Sequence, residues 1–280
     1  MSVRPFRFGI TLLNSASSRS AWRARAREVE DLGYDILQVP DHLGTVAPFP
    51  SLVAAADATS IKLGTYVLNA GVLGPAYLAR DVADTWRLTD GRLELGLGAG
   101  YVPDEYTAAG LPFGTPGSRL HKLEDLLAQT RKLLEAEADA PRPPIMVAGS
   151  GDRILAMAGR TVDIVSFSIA AGFGAGTPEE ALAARVQRVR DAAGERSGHI
   201  ELNLFVAGVG NRVADIDLSV MSSATGMSAE QLAELPGVLV GSPRQIADTL
   251  LRYREELGIS YISVLEDHMK AFAEVIPLLR

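Results

Sequence analysis

Two hydrophobic periods run through the chain. Short aliphatic runs fall at residues 8–13, 36–39, 62–67, 93–100, 145–148, 163–168, 202–209 and 261–264. Between them, apolar positions recur near helical spacing over residues 20–32, 52–58, 75–87, 118–137, 151–159, 178–193 and 243–257, with a last helix reaching residue 279. The first set predicts strands and the second amphipathic helices. Most of the strands are near-continuous aliphatic runs, the mark of a parallel sheet whose outer side is covered. Strand and helix alternate about eight times, which predicts an α/β fold closed into a (β/α)8 TIM barrel, with a doubly wound open sheet as the rival. Residues 1–280 are expected to form one domain.

Local signals place the element ends. Ser20 is read as the cap of the first helix and Gly33 as its stop, and Pro75 sits near the first turn of the third helix, where proline is favoured. Thr89-Asp90-Gly91 turns the chain into the strand that follows. Residues 211–237 carry neither period and are expected to be irregular, with short helices. In the strand from residue 93, Leu93, Leu95 and Leu97 alternate with Glu94, Gly96, Gly98 and Gly100. Glycines on one face of a strand mean that another backbone or a flat ligand comes close; tight packing of a neighbouring element accounts for them equally well.

Composition narrows the function classes. Of 280 residues 47% are hydrophobic, so a large core is within reach, and the formal net charge of −7 argues against a nucleic-acid surface. There is no cysteine, which excludes disulfides, thiolate metal sites and cysteine nucleophiles and fits a cytoplasmic protein. No apolar run approaches a membrane span, and no membrane partner is expected. The four histidines, His42, His121, His199 and His268, lack metal-ligand spacing, so no metal is expected.

Candidate chemistry is sought just after the strands, where barrel enzymes gather their functional groups. Those positions are Asn14, Asp41-His42, residues 66–69, residues 98–101, Gly149-Ser150-Gly151 and residues 166–168. Asp41-His42 is the best acid/base pair, since a neighbouring carboxylate can orient an imidazole; a capping aspartate beside a packed or solvated histidine is the plainer reading. Gly149-Ser150-Gly151 opens a helix, with Arg153 in its first turn. That arrangement can hold a phosphate, or simply make a tight turn of small residues. Glu105 reads as a loop or cap carboxylate with Arg119 as its partner. Residues 44–49, 70–74, 103–117, 170–177 and 211–237 are the loops expected to define a moderately apolar substrate.

Several short words occur together in order: Glu30-Asp-Leu-Gly-Tyr34, Val39-Pro-Asp-His42, Lys62-Leu-Gly-Thr65, Gly91-Arg-Leu-Glu-Leu-Gly-Leu-Gly-Ala-Gly100 and Val240-Gly-Ser-Pro-Arg-Gln-Ile246. In these the chain resembles the luciferase-like monooxygenase superfamily, especially its coenzyme F420-dependent oxidoreductase branch, over almost its whole length. The resemblance implies a luciferase-like TIM barrel, usually a homodimer, holding a flavin or deazaflavin at the strand ends. It implies a bulge after the third strand with a cis peptide at Tyr66–Val67. Cofactor contacts are implied from Asp41, Tyr66, Val67, Asn69, Ala99, Gly100, Tyr101, Ala148, Gly149, Ser150, Gly151 and Arg153, with the phosphate at Gly149-Ser150-Gly151. Catalytic roles are implied for His42, oriented by Asp41, and for Tyr101, which stands where some family members carry a glutamate.

The expected activity is hydride transfer between reduced F420 and a C=C, C=N or carbonyl group of a small organic substrate. One alternative is a two-component monooxygenase using reduced FMN. A second, of another class, is a non-catalytic flavin-binding barrel.

Overall fold

Strands and helices alternate along the chain as its two periods require, in a computed structural model that describes residues 4–13, 18–137, 139, 141–169 and 173–280. In order, the elements are β1 (Arg7–Thr11), α1 (Arg19–Asp31), β2 (Ile36–Val39), α2 (Pro48–Ala56), β3 (Lys62–Thr65), β4 (Leu68–Asn69), α3 (Pro75–Leu88), β5 (Leu93–Gly98), α4 (Pro103–Ala108), α5 (Pro116–Glu135), β6 (Ile145–Gly149) and α6 (Asp152–Thr161). There follow β7 (Ile164–Phe167), α7 (Pro178–Ala193), β8 (Glu201–Val206), β9 (Gly208–Gly210), α8 (Ser219–Thr225), α9 (Ala229–Ala233), β10 (Val238–Val240), α10 (Pro243–Leu257), β11 (Ile259–Leu265), α11 (Met269–Ala273) and α12 (Ile276–Leu279). They pack into two compact units, one of Met1–Thr11, Asp31–Asp35 and Gly149–Arg280, the other of Leu12–Glu30 and Ile36–Ala148.

In the unit containing residues 36–148, β2, β3, β5 and β6 pair in parallel, with Ile36 opposite Lys62, Leu63 opposite Leu93 and Leu95 opposite Ile145. Where one strand is expected over residues 62–67, two short ones form. The chain leaves β3 at Thr65, passes through a cis peptide at Tyr66–Val67, and rejoins β5 as β4, with Leu68 opposite Leu97. Every residue of β5 is buried, and Leu93, Leu95 and Leu97 are fully shielded, each worth about 1.5–3 kcal/mol of apolar burial. The β5 glycines make room for this neighbour. A Cβ on Gly96 would lie 2.1 Å from the Thr65 carbonyl oxygen, and one on Gly98 would lie 2.6 Å from Val67 Cγ2. The Thr65 hydroxyl completes the contact, accepting from the Gly96 N–H at 2.8 Å and donating to the Gly96 carbonyl at 2.9 Å. The protein's own chain, not a flat ligand, fills the space that Gly96 and Gly98 leave.

Helix ends follow their caps. The Ser18 hydroxyl, and not that of Ser20 as expected, caps α1 by accepting from the Ala21 N–H at 3.2 Å, because the helix begins at Arg19, two residues before a Ser20 cap would start it. In α5 the Thr115 side chain accepts from the Ser118 N–H and the Ser118 hydroxyl accepts from the Thr115 N–H, a reciprocal cap worth about 1 kcal/mol.

In the unit of residues 149–280 and the β1 segment, β1, β11, β8 and β7 pair in parallel, with Arg7 opposite Tyr261, Ile262 opposite Leu204 and Val165 opposite Leu202. A polar ladder crosses their interior: the Ser166 hydroxyl donates to Asn203 Oδ1 at 2.7 Å, and Asn203 Nδ2 donates to the Ser263 hydroxyl at 2.8 Å. The expected strand 202–209 is divided. β8 ends at Val206, and β9 joins β10 in a separate two-stranded sheet, Val238 opposite Gly208. An unbroken apolar run cannot announce that it serves two sheets. The segment expected to be irregular builds its own small core from Ile216, Leu218, Leu232, Leu235 and Val238.

Candidate active site

Three strand ends and one short helix supply the polar groups of the candidate site, all within residues 36–148. Asp41 and His42 follow β2, Asn69 ends β4, Ala99, Gly100 and Tyr101 follow β5, and Glu105 and Tyr106 ride on α4. α4 was not expected from sequence, although Pro103 at its start and Asp104 and Glu105 in its first turn are helix-opening signals.

Asn69 is the hub of one network. Its backbone N–H donates to Asp41 Oδ2 at 3.0 Å, and its Oδ1 accepts from the Gly71 N–H at 2.9 Å and from the Tyr106 hydroxyl at 3.1 Å. Tyr106 also reaches the Ala99 carbonyl at 3.0 Å, tying α4 to the end of β5. Asn69 is 6% exposed, and its Nδ2 has no hydrogen-bond partner. A buried amide donor left alone costs about 1–3 kcal/mol, so this atom fits an acceptor supplied by a bound molecule.

His42 is the centre of the second network, and its carboxylate partner is not the expected one. Nδ1 of His42 lies 2.7 Å from Glu105 Oε1, which also accepts from the Leu43 N–H at 3.3 Å. Asp41 instead accepts from Asn69, and Arg119, expected to pair with Glu105, donates from Nε to the Gly100 carbonyl at 3.0 Å and from Nη1 to the Gly114 carbonyl at 3.2 Å. Its guanidinium also lies 3.9 Å above the Phe113 ring. The other ring nitrogen, Nε2, is 3.3 Å from the Tyr101 hydroxyl, with the two rings edge to face. An ionised carboxylate only accepts, so Nδ1 is the nitrogen that donates to it; Nε2 accepts from the phenol when the ring is neutral and donates to it when the ring is an imidazolium.

Electrostatics distinguish these groups. Burial raises the Asp41 carboxyl above its ordinary value, and the charge of Glu105 adds to the rise, while the Asn69 N–H opposes it. Tyr101 is 73% exposed, yet partial desolvation and then Glu105 raise its phenol as well. Exposed Leu43 stands next to His42 in the chain, so apolar surface accompanies the polar groups.

The remaining expected residues take other places. Tyr66 and Val67 form the cis peptide, and Val67 packs over Gly98. Ala148 and Gly149 end β6, and Ser150 and Gly151 lead into α6, whose first turn holds exposed Asp152 and Arg153. No side chain caps α6; Arg185 Nε holds the Ser150 carbonyl at 2.8 Å, and Arg188 pairs with Asp152 at 3.1 Å. Ser166 is not at a strand end but wholly buried in β7. Asn14 and part of the loop 170–177 lie outside the described residues. Among the described residues, no helix is long and apolar enough to cross a membrane and no cluster of three or more His, Asp or Glu is placed to hold a metal.

Residues 3–209 match the sequence pattern of the luciferase-like monooxygenases. The chain belongs to this family. Its fold is the luciferase-like (β/α)8 barrel, as the alternation of elements predicts. An uncharacterised protein of Mycobacterium tuberculosis is 27% identical to this luciferase-like chain over 216 residues, 61% of this chain and 72% of that protein. Among solved structures, a long-chain alkane monooxygenase superposes with a TM-score of 0.80 at 16% identity, covering 99% of this chain and 92% of that one. An F420-dependent secondary alcohol dehydrogenase in complex with an F420-acetone adduct gives 0.78 at 16% identity, covering 99% and 100%. The coenzyme F420-dependent tetrahydromethanopterin reductase of Methanopyrus kandleri gives 0.74 at 16% identity, with the same coverage. At these identities the likeness is one of fold.

Proposed function

We propose that this luciferase-like chain is an F420-dependent oxidoreductase that transfers hydride between the reduced deazaflavin and a C=C, C=N or carbonyl group of a small organic substrate. The observation that carries the proposal is the buried, unpartnered Asn69 Nδ2, on a residue whose backbone is held by Asp41, the chain neighbour of His42 in the His42–Glu105–Tyr101 network. A deazaflavin or flavin ring is edged with carbonyl oxygens, which are the acceptors that Nδ2 lacks. When bound, such a cofactor supplies the hydride chemistry, and the chain supplies binding, orientation and a proton. Asp41 fixes the Asn69 backbone, and Tyr106 and Gly71 hold Oδ1, so the side chain is held in place while Nδ2 donates to none of them. The uncapped first turn of α6, with Gly149, Ser150, Gly151 and Arg153, is proposed to take a phosphate group. The homodimer expected from the resemblance belongs to the same proposal and is read by light scattering.

Reduced FMN with oxygen is the second reading, supported by the likeness to the long-chain alkane monooxygenase. The His42 group favours the first, because addition of hydride to a double bond leaves a site that must be protonated. Purified protein is titrated with F420 and with FMN by fluorescence, then assayed with each reduced cofactor with and without air. The proposal expects tighter F420 binding and oxygen-independent oxidation of reduced F420. Strong FMN binding with product formed only in air gives the monooxygenase. Tight cofactor binding with no turnover over a broad substrate panel gives the non-catalytic barrel. Replacing Asn69 by Asp exchanges the Nδ2 donor for an acceptor and should weaken cofactor binding by about tenfold, the worth of one hydrogen bond.

A further inference from the structure

We infer that Glu105, His42 and Tyr101 form a proton relay in which Glu105 is a positioning residue and the Tyr101 phenol, not the imidazole, is the group that meets the substrate. The inference rests on the redox reading for its chemistry and on the geometry for its order. Both ring nitrogens of His42 are engaged within the protein, Nδ1 by Glu105 at 2.7 Å and Nε2 by Tyr101 at 3.3 Å. Neither is left to face a substrate. The end of the chain that is open is Tyr101, 73% exposed, whose oxygen has a second side free for an outside partner. Glu105 is joined to this arrangement twice, through Nδ1 and through the Leu43 N–H, so the ring and the backbone beside it are held by one carboxylate.

In the charged relay the imidazolium donates from Nδ1 to Glu105 and from Nε2 to the Tyr101 oxygen, which turns its own hydrogen outward. A bound reduced deazaflavin would supply a hydride to one end of the substrate double bond, and the electron pair of that bond would then sit at the other end. There it takes the phenolic proton: the Tyr101 O–H breaks and a new O–H, N–H or C–H forms on the substrate. The Nε2 proton moves to the Tyr101 oxygen in the same event, so no phenolate accumulates. His42 is left neutral, with its hydrogen on Nδ1 facing Glu105, and regains a proton from water. Oxidation of the substrate runs the same transfers backwards. Burial and Glu105 both disfavour a phenolate at Tyr101, which is the reason a coupled transfer is needed rather than simple ionisation.

The test has a readout that needs no cofactor. The chain has four histidines, so nitrogen-15 NMR of histidine-labelled protein resolves them, with His42 assigned by its loss in His42→Gln. At a pH where the ring is neutral, His42 is expected to carry its hydrogen on Nδ1. Glu105→Ala should abolish that preference, while Glu105→Gln, which keeps an accepting oxygen, should retain it. A wild-type ring protonated on Nε2, or an Nδ1 preference that survives Glu105→Ala in folded protein, overturns the relay. With reduced F420 and substrate, Tyr101→Phe should lower kcat by about 100-fold or more, far more than it changes the cofactor Kd, as loss of a general acid does. Glu105→Ala should fall comparably, with partial rescue in Glu105→Gln. Wild-type kcat in Tyr101→Phe overturns the assignment of the phenol. The nitrogen signals decide the relay order whatever cofactor is used, and the wild-type turnover decides the redox reading separately.

Discussion

Gly100 is pressed against the Asn69 side chain: a Cβ at residue 100 would stand 2.2 Å from Asn69 Oδ1, and 2.4 Å from the Tyr106 hydroxyl. The backbone there has φ 76°, a left-handed conformation that glycine adopts without cost. This one position lets the end of β5 close over the hydrogen bonds that hold Asn69. Gly100→Ala is expected to destabilise the protein by about 2–4 kcal/mol, combining roughly 1–2 kcal/mol of backbone cost with displacement of Asn69 and Tyr106. Urea unfolding measures it. A change within about 0.5 kcal/mol would mean that the site accommodates a methyl group and is not tightly packed.

Asp41 should trade stability for its position. Its folded carboxyl is raised above the ordinary value, so the native state holds the proton more tightly than the unfolded chain does. Stability must then fall as pH climbs from the ordinary aspartate value of about 3.9 through the raised folded one. Asp41→Asn removes the charge and keeps an oxygen for the Asn69 N–H. The variant is expected to unfold at higher urea than wild type at neutral pH, with the gap closing below about pH 3.5, where Asp41 is neutral in both states. Equal midpoints at neutral pH would show that burial imposes no net cost on this carboxylate.

Glu179 has the opposite sign. Arg252 donates to it from Nη1 at 2.9 Å and from Nη2 at 2.6 Å, and the Tyr253 hydroxyl donates at 2.9 Å, joining α7 to α10. The Arg252 hydrogen bonds are the main cause that holds the carboxyl below its usual range. Its contribution is therefore complete above the ordinary glutamate value and is lost as pH falls through the lower folded one. Glu179→Gln should cost roughly 1 kcal/mol or less at neutral pH, the scale of a half-exposed pair, and should flatten the acid limb of the stability profile. An unchanged acid limb would remove Glu179 from the acid sensitivity of the fold.

Much of this architecture is legible in residue order. The strand of residues 36–39 and the helices of residues 178–193 and 243–257 form over the expected ranges, because aliphatic runs, prolines at first turns and glycine stops act within a few residues of themselves. Asp41-His42 and Tyr101 stand out for the same local reason, as polar groups just past buried strands.

The partners of those groups are not local. Glu105 lies 63 positions from His42, and an isolated carboxylate in a loop-like stretch carries no sign of the ring it will meet. Asn69 Nδ2 is orphaned only because Gly71, Tyr106 and Asp41 converge on the rest of that residue. The glycines of β5 illustrate the division most clearly. Alternation of Leu93, Leu95 and Leu97 with small residues dictates a strand with one bare face, since side chains on a strand point alternately to opposite sides. What covers that face depends on which backbone pairs alongside, and the parallel pairing of β4 with β5 places Val67 and the Thr65 carbonyl there. Periodicity within a segment is set by short-range sterics and burial; proximity between segments exists only after the strands have assembled.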